Sequence, residues 1–352
     1  MSQPHDPASP ERLRVSLVVP VRDEAATIDR LLSTLARQTR QPDEIIFVDG
    51  GSRDETVARL REAAARSSSI RIVEAGDATP GRGRNVGIEA ATHEWIALTD
   101  AGNRLESDWL ENLVAVVRRD PSVEVVYGNF EIATDTYFTR CAALAYPPVK
   151  IERAEGRIRG PFIASSLLRR DAWRRVGGFP DLRAAEDLIF MEELERRGCR
   201  IVLEPRATVW WELRPGFAST FKKFVLYSRH NVWAGRARQW HYGVARQYAL
   251  VALFIALAAL NSAWWLVAVA LWLAARTFRS VWRRREGRGL LWALNPAQFV
   301  GVAAIILTVD LATFIGWAQA LAAHPPAART DKTTTITPIT TNAAPAPRKI
   351  KS

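Results

Sequence analysis

The 352-residue chain has little of what builds disulfide frameworks and metal centres. Its two cysteines, Cys141 and Cys199, are far apart, and its five histidines form no HxH or HxxxH pair. These absences argue against a disulfide scaffold and a histidine-ligated metal, and they suit a reducing compartment. Residues 1–12 are polar and proline-rich, without the apolar run that opens a secretory signal. We therefore expect a disordered lead-in there and a chain whose main part stays in the cytoplasm.

Acidic residues are outnumbered, because 48 lysines and arginines face 37 aspartates and glutamates, for a net charge of +11. A basic chain can bind nucleic acid, anionic lipid or phosphorylated substrates. Much of the excess charge flanks apolar segments near the C-terminus, which favours a membrane surface. The chain has no nucleic-acid recognition motif, so we expect no nucleic-acid partner.

Short apolar runs alternate with helical patterns in the first half, which predicts an α/β fold with a mostly parallel sheet. Two of these runs, 44–49 and 94–100, end on an aspartate: Asp49, which Gly50 follows directly, and Asp100, which is followed by Ala101 and then Gly102. Open α/β sheets bind ligands beyond the carboxyl ends of their strands. A carboxylate there can bind a divalent cation and, through it, a diphosphate. Capping a turn is the alternative for Asp100 taken alone, whereas the two glycines after Asp49 would let a ligand approach the backbone there.

Three further segments carry candidate chemistry. The glycine-rich basic run 81–87 predicts either an anion site at a helix start or a solvated turn. Ser52 and Glu55 have the spacing of a capping box and need no chemical role. Glu186 and Asp187 begin a predicted helix. The helix dipole alone explains Glu186, whereas Asp187 could face a cleft as a general base.

Together these segments resemble the family 2 glycosyltransferases, which have the GT-A fold, over roughly residues 14–212. The resemblance rests on six segments in the expected order: Val19-Pro20-Val21-Arg22-Asp23-Glu24, Val48-Asp49-Gly50-Gly51-Ser52, Gly83-Arg84-Asn85, Thr99-Asp100-Ala101-Gly102, Gly177-Gly178-Phe179 and Glu186-Asp187. Six motifs in order are far more specific than any one of them. The resemblance implies a Rossmann-like GT-A domain at residues 13–213.

The same resemblance implies a role for each nucleotide-sugar-binding residue. The nucleoside pocket would be lined by Pro20, Val21, Glu24 and Asp49. Arg84 would face the diphosphate of the donor. The leaving nucleoside diphosphate develops negative charge, which a guanidinium and a metal both stabilise.

For the reaction itself, the resemblance implies that Asp100 holds Mg²⁺ or Mn²⁺ and that Asp187 takes the proton of the acceptor hydroxyl. Attack in line on the anomeric carbon would then invert its configuration. The family usually carries a second acidic residue where this chain has Gly102, so we expect weak metal binding. The run 236–240 offers only R-x-x-Q-W in place of the QxxRW motif of processive synthases, which argues against a processive polymerase.

The C-terminal part reads as a membrane region. Residues 214–247 predict an amphipathic helix, which either lies on the bilayer or packs in the core of the catalytic domain. Residues 248–275 predict a hairpin that bends at Asn261-Ser262, and residues 297–320 predict a span. Asp310 is the one charge in that span, and it is either functional or faces a neighbouring helix. The tail 323–352 is expected to be disordered.

These observations predict a multi-pass cell-membrane protein with its catalytic domain in the cytoplasm. Its expected activity is inverting transfer of a sugar from a nucleotide-diphosphate sugar to a hydroxyl acceptor, a lipid-linked or cell-surface glycan precursor. A catalytically silent GT-A-like membrane scaffold is the alternative, motivated by Gly102. A nucleic-acid-binding protein is a third hypothesis, suggested by charge alone.

Overall fold

The computed structural model describes residues 13–153 and 156–323. The disorder expected at residues 1–12 and, beyond Ala323, in the tail lies outside the described residues. Within these described residues there are ten strands: β1 (Val15–Val21), β2 (Glu44–Asp49), β3 (Ile70–Glu74), β4 (Trp95–Thr99), β5 (Asn103–Leu105), β6 (Val125–Ala133), β7 (Ile151–Arg153), β8 (Gly156–Ile158), β9 (Ser165–Arg169) and β10 (Ile201–Glu212).

The described part of the chain also has twelve helices, of which the first seven lie among the strands and the last five follow β10. They are α1 (Ile28–Ala36), α2 (Thr56–Arg66), α3 (Pro80–Ala90), α4 (Trp109–Arg119), α5 (Tyr137–Ala145), α6 (Arg170–Val176), α7 (Glu186–Arg196), α8 (Phe217–Trp233), α9 (Ala237–Leu260), α10 (Trp265–Arg283), α11 (Leu290–Ala293) and α12 (Pro296–Ala322).

Eight strands form one mixed sheet in the order β3-β2-β1-β4-β9-β6-β10-β5. The pairs β2–β3, β1–β2, β1–β4 and β6–β10 are parallel, and the other three pairs are antiparallel. The predicted α/β fold with a mostly parallel sheet is confirmed. β7 and β8 form a separate hairpin within the stretch 129–160, for which the sequence predicted no structure.

Both faces of the sheet are covered, because side chains alternate along each buried strand. In β1, Leu17 and Val19 belong to a core cluster shared with α1 and α4. Val18 points the other way, into a second cluster shared with α3 and α7. The first cluster extends to the C-terminal helices through residues such as Val302. The result is a three-layer α/β/α unit with further helices packed against one side.

The glycine-rich segment 81–87 is part of helix α3, which packs directly on the sheet. A Cβ atom at Gly87 would lie 2.3 Å from Cγ1 of Val18 and 2.9 Å from Cγ2 of Val48. At Gly81 it would lie 2.2 Å from the carbonyl oxygen of Pro180. These glycines therefore serve close helix packing, which neither the anion-site nor the solvated-turn interpretation anticipated.

The capping-box interpretation of Ser52 and Glu55 is wrong. Helix α2 begins at Thr56, so its N-cap residue is Glu55 and not Ser52. The Glu55 side chain makes no capping hydrogen bond. The Ser52 hydroxyl instead accepts a hydrogen bond from the backbone N–H of Asp23 at 2.9 Å. Ser52 thus connects the loop after β2 to the loop after β1. These loops are neighbours because β1 and β2 pair in the sheet.

The C-terminal helices pack on the α/β unit and on one another. One side of helix α8 contacts the sheet at Trp211 of β10. The other side packs closely on α12, because a Cβ atom added at Gly316 of α12 would lie 2.4 Å from the carbonyl oxygen of Val225 in α8. Helix α9 ends at Leu260 and α10 begins at Trp265, so the expected bend lies between two helices. By length and composition, α9 and α12 are apolar enough to cross a membrane.

We predict that Gly87→Ala destabilises the protein by about 1–3 kcal/mol, because the new methyl group overpacks the contact of α3 with Val18. The matched control is Gly243→Ala, in α9, where an added Cβ meets no atom within 4 Å. That control should be neutral or stabilise by up to about 1 kcal/mol, as expected for helix propensity. Unfolding of the two detergent-purified variants measures the difference; equal stabilities would contradict the packing.

Candidate functional site

The candidate site lies where β1, β2 and β4 end. Val21 of β1 pairs with Asp49 of β2, and Val18 pairs with Leu98 of β4, so both neighbours end level with β1. Asp100 follows β4 directly. Since neighbouring strands lie about 4.8 Å apart, Asp49 and Asp100 flank β1 at a separation of ~10 Å. The two strand-end aspartates therefore share one edge of the sheet.

Arg84 of α3 joins the predicted site residue Asp100 to a second carboxylate, Glu186. Its Nη2 donates to Oδ1 of Asp100 at 2.8 Å, and its Nη1 donates to Oε1 of Glu186 at 2.9 Å. The Arg84 and Glu186 side chains are buried, at 4% and 8% exposure, whereas Asp100 is 43% exposed. Residues from α3, the end of β4 and the start of α7 thus meet around one guanidinium.

Asn85, next to Arg84, fixes the turn that leads to α7. Its side-chain oxygen accepts hydrogen bonds from Nε1 of Trp173 at 2.9 Å and from the N–H of Phe179 at 2.8 Å. Its side-chain nitrogen donates to the carbonyl oxygen of Phe179 at 2.8 Å. The Phe179 ring in turn lies 5.5 Å from the guanidinium carbon of Arg84. The Gly83-Arg84-Asn85 and Gly177-Gly178-Phe179 motifs therefore hold each other in place.

The first turn of α7 carries the acid pair. Ala185 precedes it with a φ of 69°, a left-handed conformation that costs free energy for a residue other than glycine. This backbone turns Glu186 toward Arg84, while Oδ1 of Asp187 accepts a hydrogen bond from the N–H of Leu188 at 2.8 Å. Strained backbone of this kind clusters at functional sites.

The electrostatics of the acid pair follow from burial. Burial raises the pKa of the Asp187 carboxyl, the nearby charge of Arg84 opposes this, and Asp100 adds to it. Burial likewise raises the pKa of the Glu186 carboxyl against the opposing effect of Arg84. Asp187 is therefore close enough to Arg84 and Asp100 to interact with both, and its proton affinity lies above that of an ordinary aspartate.

The expected nucleoside-pocket residues occupy the same edge of the sheet. The Asp49 carboxylate accepts hydrogen bonds from the N–H groups of Gly51 and Ser52, at 3.1 Å each, so it shapes its own loop. Pro20 and Val21 form the end of β1 between Asp49 and Asp100.

Glu24 follows β1 and lies at the same opening. Burial raises the pKa of its carboxyl, a hydrogen bond from Thr27 and the charge of Arg214 oppose this, and Asp100 adds to it. The structure thus brings Glu24 near Asp100, and the fold brings all seven predicted site residues to one end of the sheet.

Helix α8 and the loop before it add three residues that the sequence did not assign to the site. Lys223 lies with its Nζ atom 4.6 Å from the ring centroid of Trp211 and 5.3 Å from that of Tyr227. Burial and, to a lesser extent, the charge of Arg214 lower the pKa of Lys223 to about 8, while the charge of Asp100 opposes this shift. Burial raises the pKa of the Tyr227 phenol, and Asp187 and Glu186 raise it further. The inner face of α8 therefore borders the acid cluster, as the core-packing alternative required.

Asp100 is the one expected metal ligand, and its surroundings decide whether it can serve. Its Oδ1 is taken by Arg84, and the side chain is 43% exposed. An added Cβ at Gly102 would meet no atom within 4 Å, so the space beside Asp100 is open. Among residues 13–153 and 156–323, no group of three or more His, Cys, Asp or Glu side chains could hold an ion. One carboxylate with open space fits Mg²⁺ or Mn²⁺ that takes its other ligands from water and substrate phosphates.

Sequence reasoning missed Glu186, Arg214, Lys223 and Tyr227. The helix dipole was a sufficient explanation for Glu186. The adjacent Asp187, however, makes it one of a pair of acidic residues, and that pair could have indicated a site role for both. Arg214 precedes helix α8 and Lys223 lies in the amphipathic pattern of that helix, and neither sequence context indicates a binding site. Only the packing of α8 against the sheet brings them to it.

Comparison with known proteins identifies the α/β unit. Residues 16–173 match the model of the family described as "Glycosyl transferase family 2". A PGL/p-HBAD biosynthesis glycosyltransferase of Mycobacterium tuberculosis is 31% identical over 117 residues, which are 32% of this chain and 45% of that protein. Glycosyltransferase AglE of Haloferax volcanii is 28% identical over 173 residues, which are 47% of this chain and 56% of that protein. The chain thus spans about half the length of these curated relatives.

Among solved structures, the fold is similar to a mannosyltransferase of Pyrobaculum calidifontis that was solved with GDP-Man and Mn²⁺. The TM-score is 0.60 at 20% identity, and the match covers 89% of this chain and 90% of that one. At that identity the likeness establishes the fold. Residues 16–173 are therefore similar to the glycosyltransferase family 2 domain, and the α/β unit has the GT-A fold.

Proposed function

We propose that this protein is a membrane-anchored inverting glycosyltransferase. It moves a sugar from a nucleotide-diphosphate sugar to a hydroxyl of a lipid-linked or cell-surface glycan precursor at the cytoplasmic face. One observation carries the proposal. Arg84, within the residues that match the family 2 model, joins Asp100 at the end of β4 to Glu186, which lies beside Asp187 at the start of α7 and beyond the matched residues. A donor seated at that edge of the sheet has a phosphate-side carboxylate and an acceptor-side base within one opening.

The donor's nucleoside lies against Pro20, Val21, Glu24 and Asp49 in this proposal. Its diphosphate lies beside Asp100, where Mg²⁺ or Mn²⁺, when bound, neutralises charge on the phosphate oxygens. The family relative solved with GDP-Man and Mn²⁺ supports this use of a divalent cation. Gly102 leaves the cation with a single carboxylate, so positive charge from the chain gains importance at the diphosphate.

Lys223 and Arg214 supply that charge. In the described part of the chain, no carboxylate lies within salt-bridge distance of Lys223, and its contacts are the rings of Trp211 and Tyr227. A partly buried cation that no carboxylate neutralises attracts an anion more strongly than an exposed one, because the lower local dielectric screens it less. We assign Lys223 and Arg214 to the leaving diphosphate, whose oxygen keeps the electron pair of the broken bond.

Asp187 acts on the acceptor. Its ionised carboxylate accepts the proton of the acceptor hydroxyl while that oxygen forms the bond to the anomeric carbon. The bond from this carbon to the diphosphate oxygen breaks on the opposite side, and the configuration inverts. A raised pKa suits the role, because a base is most effective when its pKa approaches the working pH.

Arg84 and Glu186 position these groups. Both terminal nitrogens of Arg84 are engaged by carboxylates, so in this proposal it acts on the diphosphate through Asp100. Oε2 of Glu186 is buried and has no hydrogen-bond partner among the described residues. Such an acceptor is normally satisfied, and a hydroxyl of the transferred sugar or of the acceptor would satisfy it.

The silent scaffold remains the alternative, because Gly102 removes one expected carboxylate. Titration calorimetry with UDP- and GDP-sugars in Mn²⁺ distinguishes the two. The enzyme gives saturable heat with one donor class, and a silent scaffold gives none.

We predict that Asp187→Asn lowers the transfer rate at least ~10³-fold, because an amide cannot accept the acceptor's proton. Donor affinity should stay within about threefold. Glu195→Gln, an exposed carboxylate on the same helix, is the matched control and should keep full activity. Transfer assays and calorimetry on the same preparations separate the two effects. Full turnover by the Asn variant would refute the role of Asp187, and retention of configuration in the product would refute direct inversion.

We also predict a pH profile with two limbs. Asp187 works ionised and its pKa is raised, so kcat falls with decreasing pH earlier than an ordinary aspartate would dictate. Lys223 works charged and its pKa is about 8, so donor KM rises as pH increases through that value.

Lys223→Arg tests the alkaline limb, because arginine stays charged throughout this range. The rise in donor KM should move to higher pH or disappear. Lys222→Arg, at the exposed neighbouring position, is the control and should leave the profile unchanged. An alkaline limb that is identical in the Lys223→Arg variant would exclude Lys223 from donor binding.

A further inference from the structure

We propose that the α9–α10 hairpin is the membrane-inserted element of this protein, and that α12 lies along the α/β unit without crossing the bilayer. The partner is a bilayer with anionic headgroups. The inference rests on the proposed membrane attachment but not on sugar transfer. It replaces the sequence-based expectation of a span at 297–320.

Helix α12 contacts the rest of the protein along its whole length. Near its start, an added Cβ at Gly301 would lie 2.6 Å from the hydroxyl of Tyr137 and 2.7 Å from Sγ of Cys141. Farther along, Val302 and Ile305 are buried in the main core cluster. These contacts hold the first half of α12 on α5.

The second half of α12 is held on α8. The carbonyl oxygen of Thr313 accepts a hydrogen bond from the Ser228 hydroxyl at 2.6 Å. At the end, Nε1 of Trp233 donates to the carbonyl oxygen of Ala320 at 3.4 Å. At 1.5 Å per residue, α12 is about 40 Å long. A helix fixed at both ends to one domain cannot place those ends on opposite sides of a bilayer.

The hairpin behaves differently beyond its base. In α9, Nε2 of His241 lies 2.7 Å from the Ser228 hydroxyl, and the Tyr248 hydroxyl donates to Asp310 at 2.9 Å. In α10, Arg276 donates to Asp310 at 2.8 Å, and Ser280 donates to the carbonyl oxygen of Leu144 at 2.7 Å. Asp310 therefore binds the bases of both arms to α12, which is a structural role for this buried charge.

Between these base contacts, residues 249–275 project from the protein. Many of their large apolar side chains are exposed, including Leu250, Leu253, Ile255, Leu260, Trp264, Leu266 and Leu271, whereas Val251, near the base, is buried. In the apolar 18-residue segment of α9, 6% of the segment is buried inside the protein, whereas 39% of the corresponding segment of α12 is buried. An apolar surface of this size needs a partner.

The base of the hairpin identifies that partner as lipid. Arg285 lies 3.8 Å from the ring centroid of Trp282, and Arg288 lies 4.7 Å from that of Trp292. Arg246 on the other arm lies 6.0 Å from the Tyr242 ring. Arginines paired with aromatic rings at the end of an apolar segment match a headgroup region, and their charge complements anionic lipid. A second copy of this basic chain would bring like charges together.

Single-cysteine labelling with a membrane-impermeant maleimide tests the topology in sealed vesicles and in vesicles of inverted orientation. Ser68→Cys marks the exposed surface of the α/β unit, Leu321→Cys marks the end of α12, and Ala263→Cys marks the hairpin tip. The native Cys141 and Cys199 are buried and serve as the background.

We expect positions 68 and 321 to react from the same side, and position 263 to be protected from that side until detergent is added. Position 321 reacting from the side opposite to position 68 would show that α12 spans. Position 263 reacting together with position 68 in intact vesicles would show that the hairpin is not inserted. Recovery of the protein as a soluble oligomer would overturn the lipid partner. Labelling needs no turnover, so failure here is distinguishable from failure of the proposed sugar transfer.

Discussion

The site depends on one interaction, the pairing of the buried Arg84 guanidinium with two carboxylates. The guanidinium lies between the carboxylates of Asp100 and Glu186, which are 86 residues apart in the sequence. A buried charge is tolerated only when it is paired, and removing one partner of such a pair typically costs about 3–5 kcal/mol. The fold therefore commits α3, the end of β4 and the start of α7 to one arrangement. Asp187 is placed by that arrangement, because it follows Glu186 directly.

Helix α8 connects this site to the proposed membrane anchor. Its inner face carries Lys223 and Tyr227 toward the acid cluster, and its outer face contacts α12 through Ser228. The same Ser228 hydroxyl also contacts His241 of α9. A single rigid helix thus sets the height of the site above the hairpin base. An acceptor held at a membrane surface would meet Asp187, the proposed base, at a fixed distance from the lipid.

Local signals in the sequence predicted the strand ends well. Asp49 and Asp100 follow apolar runs, and topology alone brings the ends of neighbouring parallel strands together. Residues whose role depends on distant packing could not be read in this way. Lys223 looked like part of an amphipathic surface until α8 was seen against the sheet. Gly87 belonged to a segment predicted to be either an anion site at a helix start or a solvated turn, whereas its lack of a side chain serves contact with Val18. Asp310 became interpretable only with Arg276 opposite it.

The central claim is that residues far apart in the chain form one nucleotide-sugar pocket. A structure determined with a nucleoside diphosphate and Mn²⁺ tests it most directly. The account predicts the nucleoside against Asp49 and Glu24, and the diphosphate between Asp100 and Lys223, with Asp187 facing the open side. Density for the nucleotide away from the carboxyl ends of β1, β2 and β4 would contradict it.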